Sequence, residues 1–164
     1  MAANTETILD SETRGHDDHH DALRLWLRIL TCTNLVENKL RNNLREEFSS
    51  TLPRFDLLAQ LERNPQGLKM GDLSKLMMVS GGNVTGIATQ LEKEGLIKRV
   101  VSDADRRSFQ VHITPKGTKA FNKMAQVHEA WIADMFSCLT DKETTQIMKT
   151  LGTLKQSLRL SQDS

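Results

Sequence analysis

The stretch MGDLSKLMMVSGGNVTGIATQLEKEGLIKRVVSDADRRSFQVHIT, residues 70–114, decides how this chain reads. Its first part places Met70, Leu73, Leu76 and Met77 on one side of a short helix. Ser80-Gly81-Gly82 then reads as a turn, with Ser80 as the cap of the next helix. In that helix Val84, Ile87, Ala88 and Leu91 recur at i, i+3, i+4 and i+7, which turns them inward. Asn83, Thr85, Gly86, Thr89, Gln90 and Lys93 are left on the outside. Gly95 sits where a helix commonly ends in a left-handed conformation. Leu96 to Val101 and Phe109 to Ile113 read as two short strands around the charged tip Ser102-Asp103-Ala104-Asp105-Arg106-Arg107-Ser108. A helix pair followed by a basic β-ribbon can address two DNA grooves at once.

The chemistry of the outer face fits that reading. Asn83 and Gln90 have the amide pair that bonds adenine in a bidentate way; Thr85 and Thr89 offer a methyl to thymine or a hydroxyl to phosphate. Ser80, Gly81 and Gly82 lie where backbone amides at a helix N-terminus approach a phosphate. At the tip, Asp105 stands two residues before Arg107, a spacing that lets a carboxylate hold a guanidinium in one orientation for a narrow minor groove, with Arg106 left for the phosphates.

The flanks are helical. Leu23, Trp26, Leu27 and Leu30 share one face of a long helix that begins at Asp21, and Leu40, Leu44 and Phe48 extend the apolar stripe until Ser49-Ser50-Thr51 breaks it. Pro53 starts a second helix with Phe55, Leu58 and Leu61 on its buried side, ended by Asn64-Pro65-Gln66-Gly67. Thr114-Pro115 opens a long helix with Phe121, Met124, His128, Trp131, Met135 and Phe136 inward, where His128 reads as a core histidine. Thr140 and Glu143 form a capping box for the last helix, in which Ile147, Leu151, Leu154 and Leu158 alternate steps of four and three. That spacing is a two-helix seam near the chain end, so the first and last helices are expected to pack on a second copy. The competing arrangement closes a monomeric core.

Composition sets the remaining bounds. The 164 residues carry a net charge of only +1, but the charge is uneven. Residues 1–22 hold six acids against one arginine, while residues 66–119 hold nine bases against five acids, as a phosphate-facing segment requires. Cys32 and Cys138 form neither a metal spacing nor a disulfide framework; both are expected to be packed, and a reducing cytoplasm is the expected compartment. No apolar run has the length of a membrane span, and no secretory signal is read. No phosphate loop, G-x-S-x-G or H-E-x-x-H occurs, tyrosine is absent, and no acid–base set is recognisable, so an enzyme is not expected and neither is a cofactor.

Asp103-Ala104-Asp105-Arg106-Arg107, followed by Val111-His112-Ile113-Thr114-Pro115-Lys116-Gly117, resembles the wing signature of the MarR family, the multiple-antibiotic-resistance regulators. Leu91-Glu92-Lys93-Glu94-Gly95-Leu96-Ile97 resembles that family's recognition-helix exit. The likeness covers roughly residues 21–160. It implies a mainly α fold with a small β-hairpin wing, a winged helix-turn-helix with a helical dimerisation region. The implied organisation is an acidic tail (1–20), an N-terminal dimerisation helix (21–50), the DNA-binding domain (51–114) and C-terminal dimerisation helices (115–160). It also implies a homodimer on a palindromic operator, usually a repressor released by a small ligand. Carried over, Asn83, Thr85 and Gln90 lie in the major groove and Arg107, held by Asp105, in the minor groove.

Thr31-Cys32-Thr33-Asn34-Leu35-Val36-Glu37, Leu52-Pro53-Arg54-Phe55-Asp56-Leu57-Leu58 and residues 77–86 look closer to a subgroup that controls aromatic-acid catabolism and answers to hydroxycinnamoyl-CoA-type thioesters. That likeness implies an effector site near Trp26 and Phe55, with Arg41 and Arg45, four apart on one helix face, pairing with CoA phosphates. The plainer reading of these arginines is a solvated basic face beside Glu46 and Glu47. Two other regulators of the same fold are alternatives. One senses a metal through His16, Asp17, Asp18, His19 and His20; the other senses oxidation through a cysteine. A protein-interaction module without DNA binding is the alternative from a different class.

Overall fold

The computed structural model describes residues 20–102 and 105–161; of Ser102 and residues 105–108 only the backbone is described. Helix α1 (His20–Phe48) is followed by α2 (Leu52–Arg63), a short strand β1 (Leu68–Lys69), α3 (Met70–Met77) and α4 (Gly81–Lys93). Strands β2 (Ile97–Ser102) and β3 (Asp105–Ile113) form the hairpin, and α5 (Pro115–Phe136) and α6 (Asp141–Leu160) complete the chain. The architecture is mainly helical, with one antiparallel sheet in the order β1-β3-β2. Two compact units, Met1–Met124 and Ala125–Ser164, divide it.

The core of the first unit follows the helical periods. Leu40 and Leu44 of α1, Leu57, Leu58 and Leu61 of α2, Leu73 of α3, and Val84, Ala88 and Leu91 of α4 are buried together with Ile97 and Val111 of the hairpin. Each fully buried leucine contributes on the order of 2 kcal/mol, so this cluster holds the helices in place. Helix α1 ends as Ser49 turns left-handed (φ 48°), its N–H donating to the Arg45 carbonyl and the Ser50 N–H to the Leu44 carbonyl, each at 3.1 Å, a left-handed close made without glycine.

The turn between α3 and α4 differs from the expected Ser-Gly-Gly. Met78 takes the left-handed conformation (φ 54°), and the Ser74 hydroxyl donates to the Val79 carbonyl at 2.6 Å. Gly81 and Gly82 already belong to α4. Ser80 occupies the cap position with extended backbone, but its side chain makes no capping hydrogen bond. The capping box at α6 forms as read: Thr140 Oγ1 accepts from the Glu143 N–H, and the Thr140 N–H donates to Glu143 Oε2 at 2.8 Å. Strand β1 escaped the sequence reading, because two residues have no period; it exists through pairing of Leu68 with Val111 and Lys69 with Gln110.

The exit of α4 is fixed by an unusually close approach. Gly95 is left-handed (φ 73°), and the Thr114 hydroxyl donates to the Gly95 carbonyl at 2.7 Å. The Gly117 N–H donates in turn to Thr114 Oγ1 at 3.0 Å. A Cβ on Gly117 would stand 2.0 Å from the Leu96 carbonyl oxygen, backbone that has no rotamer by which to yield. Gly117→Ala is therefore expected to cost about 2–3 kcal/mol, as overpacking does, and to lower the melting temperature by roughly 5–10 °C. Gly71→Ala, where an added Cβ meets nothing within 4 Å, is the control and should not lower it. Equal melting of the two variants contradicts the close-approach account.

Candidate nucleic-acid interface

Helix α4 presents two faces of opposite character. Val84, Ala88 and Leu91 are buried under it, while Ser80, Gly82, Asn83, Thr85, Thr89, Gln90 and Lys93 are exposed. Added Cβ atoms at Gly81, Gly82 and Gly86 would meet nothing within 4 Å, so the first turns of the helix stand open. The outward threonines are back-bonded: the Thr85 hydroxyl donates to the Gly81 carbonyl and the Thr89 hydroxyl to the Thr85 carbonyl, each at 2.9 Å. The structure thus brings the helical candidates onto one surface. Asp105, Arg106 and Arg107 lie on the backbone of β3, and the proposed hold of Asp105 on Arg107 lies outside the described side chains.

Two arginines missed in the sequence reading secure this surface. Arg99, on β2, reaches back to α4: its backbone N–H donates to Glu92 Oε1 at 3.2 Å, Nη1 pairs with Glu92 Oε2 at 3.2 Å, and Nη2 donates to Thr89 Oγ1 at 3.1 Å. Arg54, near the start of α2, grips the Glu94 carboxylate with both terminal guanidinium nitrogens, Nη1 to Oε1 at 2.8 Å and Nη2 to Oε2. That bond holds the Glu94 carboxyl below the usual carboxylate range. Lys116 Nζ donates to the Glu94 carbonyl at 2.7 Å, a cation on the end of α4 where the helix dipole favours one. The Arg54–Glu94 contact joins residues 40 apart, which no local spacing reveals.

The effector candidates are not gathered into one pocket. Phe55 is buried, and its ring lies tilted against Phe121 with centroids 5.4 Å apart. Trp26 is 55% exposed on α1. Arg41 is held by the Glu37 carboxylate and by Asn38 Oδ1 at 3.2 Å, and Arg45 bonds Asn42 Oδ1 at 3.2 Å, so Arg41 must exchange a partner before taking a phosphate. Cys32 and Cys138 are exposed, contrary to the expected packing, because both fall on outward helix positions or just past a helix end. His16, Asp17, Asp18 and His19 lie outside the described residues, and His20 opens α1. His128 is half-buried, meets Trp131 edge-on at 6.4 Å, and burial lowers its pKa.

Between α1 and α2 a further group emerges. Asp56 has its pKa raised from 3.8 to about 6, first by burial and then by repulsion from Glu37, with Arg41 opposing.

These features define a winged helix-turn-helix. A profile of the MarR family matches residues 50–109. The uncharacterized HTH-type transcriptional regulator YkoM of Bacillus subtilis is 34% identical over 119 residues, 72% of this chain and 75% of YkoM. The crystal structure of a MarR family transcriptional regulator from Silicibacter pomeroyi is 31% identical, with a TM-score of 0.74 over 88% of this chain and 99% of that one. The chain belongs to the MarR family of transcriptional regulators. Two more distant structures share the fold: the Staphylococcus aureus MepR–DNA complex (23% identity, TM-score 0.69, 80% and 94% covered) and CouR of Rhodococcus jostii RHA1 bound to p-coumaroyl-CoA (17%, 0.69, 79% and 90%).

The raised pKa of Asp56 carries a sign. The folded state holds this proton more tightly than the unfolded chain, so the contribution is complete below about pH 4 and is lost as pH rises through about 6. Asp56→Asn should remove that loss and stabilise the protein at pH 7.5 by roughly 1 kcal/mol, the two-unit shift being discounted for partial exposure. At pH 4.5 the gain should shrink. Thermal melts with the same gain at both pH values contradict the assignment.

Proposed function

We propose that this MarR-family DNA-binding regulator acts as a homodimeric repressor on a palindromic operator and is released by a small aromatic ligand, an aromatic acyl-CoA thioester being the preferred chemistry. The observation that carries the DNA reading is the outer face of α4, polar and exposed over a fully packed inner face, tied to the wing through Arg99. Asn83, Thr85, Thr89 and Gln90 supply base-edge and phosphate groups, Ser80 and Gly82 an open helix start, and the tip residues Asp105, Arg106 and Arg107 the minor-groove and backbone contacts.

The dimer reading is supported by two uncovered apolar stripes, one on α6 and one on α1. On α6 no residue is buried, and Ile147, Leu151, Leu154 and Leu158 are between 41% and 57% exposed. On α1, Leu23, Trp26 and Leu30 are exposed as well. Water-facing leucines at seam spacing gain on the order of 1–2 kcal/mol each when a partner helix covers them.

The ligand reading rests on the subgroup likeness and on the CoA thioester bound by CouR, a protein of the same fold. Arg45, and Arg41 after leaving Glu37, are the proposed phosphate partners, and Trp26 lies about 22 Å back along α1 from Arg41. The control is a population shift: two recognition helices reach successive major-groove turns only about 34 Å apart, and a ligand that prefers another spacing lowers DNA affinity by its differential affinity.

Titrating promoter DNA across salt tests the function. A DNA reader should show a linear fall of log affinity with log salt, and Arg107→Ala should weaken binding by about tenfold with the fold intact. Leu151→Asp should give a monomer that binds weakly. Salt-independent binding, or a monomer that holds DNA as tightly as the wild type, contradicts the proposal. Adding p-coumaroyl-CoA, free aromatic acids, zinc or peroxide to the bound complex identifies the effector; release by zinc or peroxide alone replaces the thioester reading with a metal- or oxidation-sensing one.

A further inference from the structure

A threonine on a DNA-facing helix can use its hydroxyl or its methyl, and the structure distinguishes the two at Thr89. The Thr89 hydroxyl spends its one hydrogen on the Thr85 carbonyl at 2.9 Å. It also accepts a hydrogen bond from Arg99 Nη2 at 3.1 Å. Back-bonding alone is weak on an exposed helix, since a phosphate or water competes for the hydroxyl hydrogen. The second bond changes this. Arg99 is itself fixed by Glu92, through the Nη1 pair at 3.2 Å and the backbone N–H bond at 3.2 Å, so its fork cannot swing away without leaving a carboxylate. Thr85 differs: its hydroxyl donates to the Gly81 carbonyl, and Arg99 bonds Thr89 instead.

We propose that Thr89 reads DNA through its methyl group and that Arg99, anchored by Glu92, is the positioning residue that keeps it so oriented. The hydroxyl has no hydrogen left for a phosphate oxygen or a base acceptor. The matching group in the major groove is the 5-methyl of thymine, which makes Thr89 a specificity-determining residue for a thymine in each half-site. Arg99 acts through Thr89 and not on the DNA: its charge is spent on Glu92. The inference rests on the DNA-reading function proposed above and deepens it.

The test begins with a duplex selected by the wild-type protein from a random-sequence pool. Failure to select any duplex overturns the DNA-reading function itself. With a selected duplex in hand, each thymine is replaced in turn by uracil, which deletes only the 5-methyl. One position per half-site should cost the wild type about fourfold in affinity, the worth of one buried methyl. Thr89→Val keeps the methyl and removes the hydroxyl; it should bind within about twofold of wild type and retain the uracil effect. Thr89→Ser keeps the hydroxyl and removes the methyl; it should bind about fourfold more weakly and be blind to uracil at that position. Arg99→Lys, which preserves the charge and loses the fork, should reduce the uracil effect while circular dichroism and melting show the fold intact. Thr89→Val as damaging as Thr89→Ser, or no uracil position that separates Ser from wild type, overturns the proposal. An uracil effect unchanged in Arg99→Lys overturns the role of Arg99.

Discussion

The structure depends on how the end of α4 is held. Within three residues, Glu94 to Leu96, the chain must leave a helix, reverse and enter the first strand of the wing. Left-handed Gly95 makes the reversal, and four groups from elsewhere fix it: Arg54 on the Glu94 carboxylate, Lys116 on its carbonyl, and Thr114 and Gly117 against Gly95 and Leu96. The contacts are charge-assisted or backbone-directed, so they set direction as well as distance. Arg99 adds a second tie one strand residue pair further on, returning from β2 to Glu92 and Thr89. The helix that faces outward and the first strand of the ribbon that follows it are therefore tied together at two places.

Arg54 extends this hold to α2. Two residues on, Asp56 faces Glu37 and Arg41 of α1, and its burial keeps the carboxyl half-protonated near pH 6. One helix turn thus reaches the end of α4 through Arg54 and senses the charges of Glu37 and Arg41 on α1 through Asp56.

Much of this was legible in the sequence, for a physical reason. Val84, Ala88 and Leu91 fall at the helical period, and burial follows period wherever a helix lies on a core. Thr140 and Glu143 cap α6 by a purely local bond that needs no tertiary context. The misses share the opposite cause. Arg54 and Glu94 meet across 40 residues, β1 is made by its partner strand, and the reversal before α4 uses Met78, a residue with no turn preference, because Ser74 and the buried Leu73 dictate the path. Phe55 reads equally well as pocket or core until Phe121 is seen against it. The packing expected of the cysteines from their places along the helices fails because Cys32 faces outward on α1 and Cys138 lies past the end of α5.

On the proposed function, α4 and the wing act as one reader, used twice on a two-fold site. Hydroxyl-radical footprinting of the selected duplex tests it most directly. The account predicts two protected blocks related by a dyad, with centres about one helical turn apart, each flanked by minor-groove protection from the wing. A single block without symmetry, or two blocks with no flanking minor-groove protection, would contradict it.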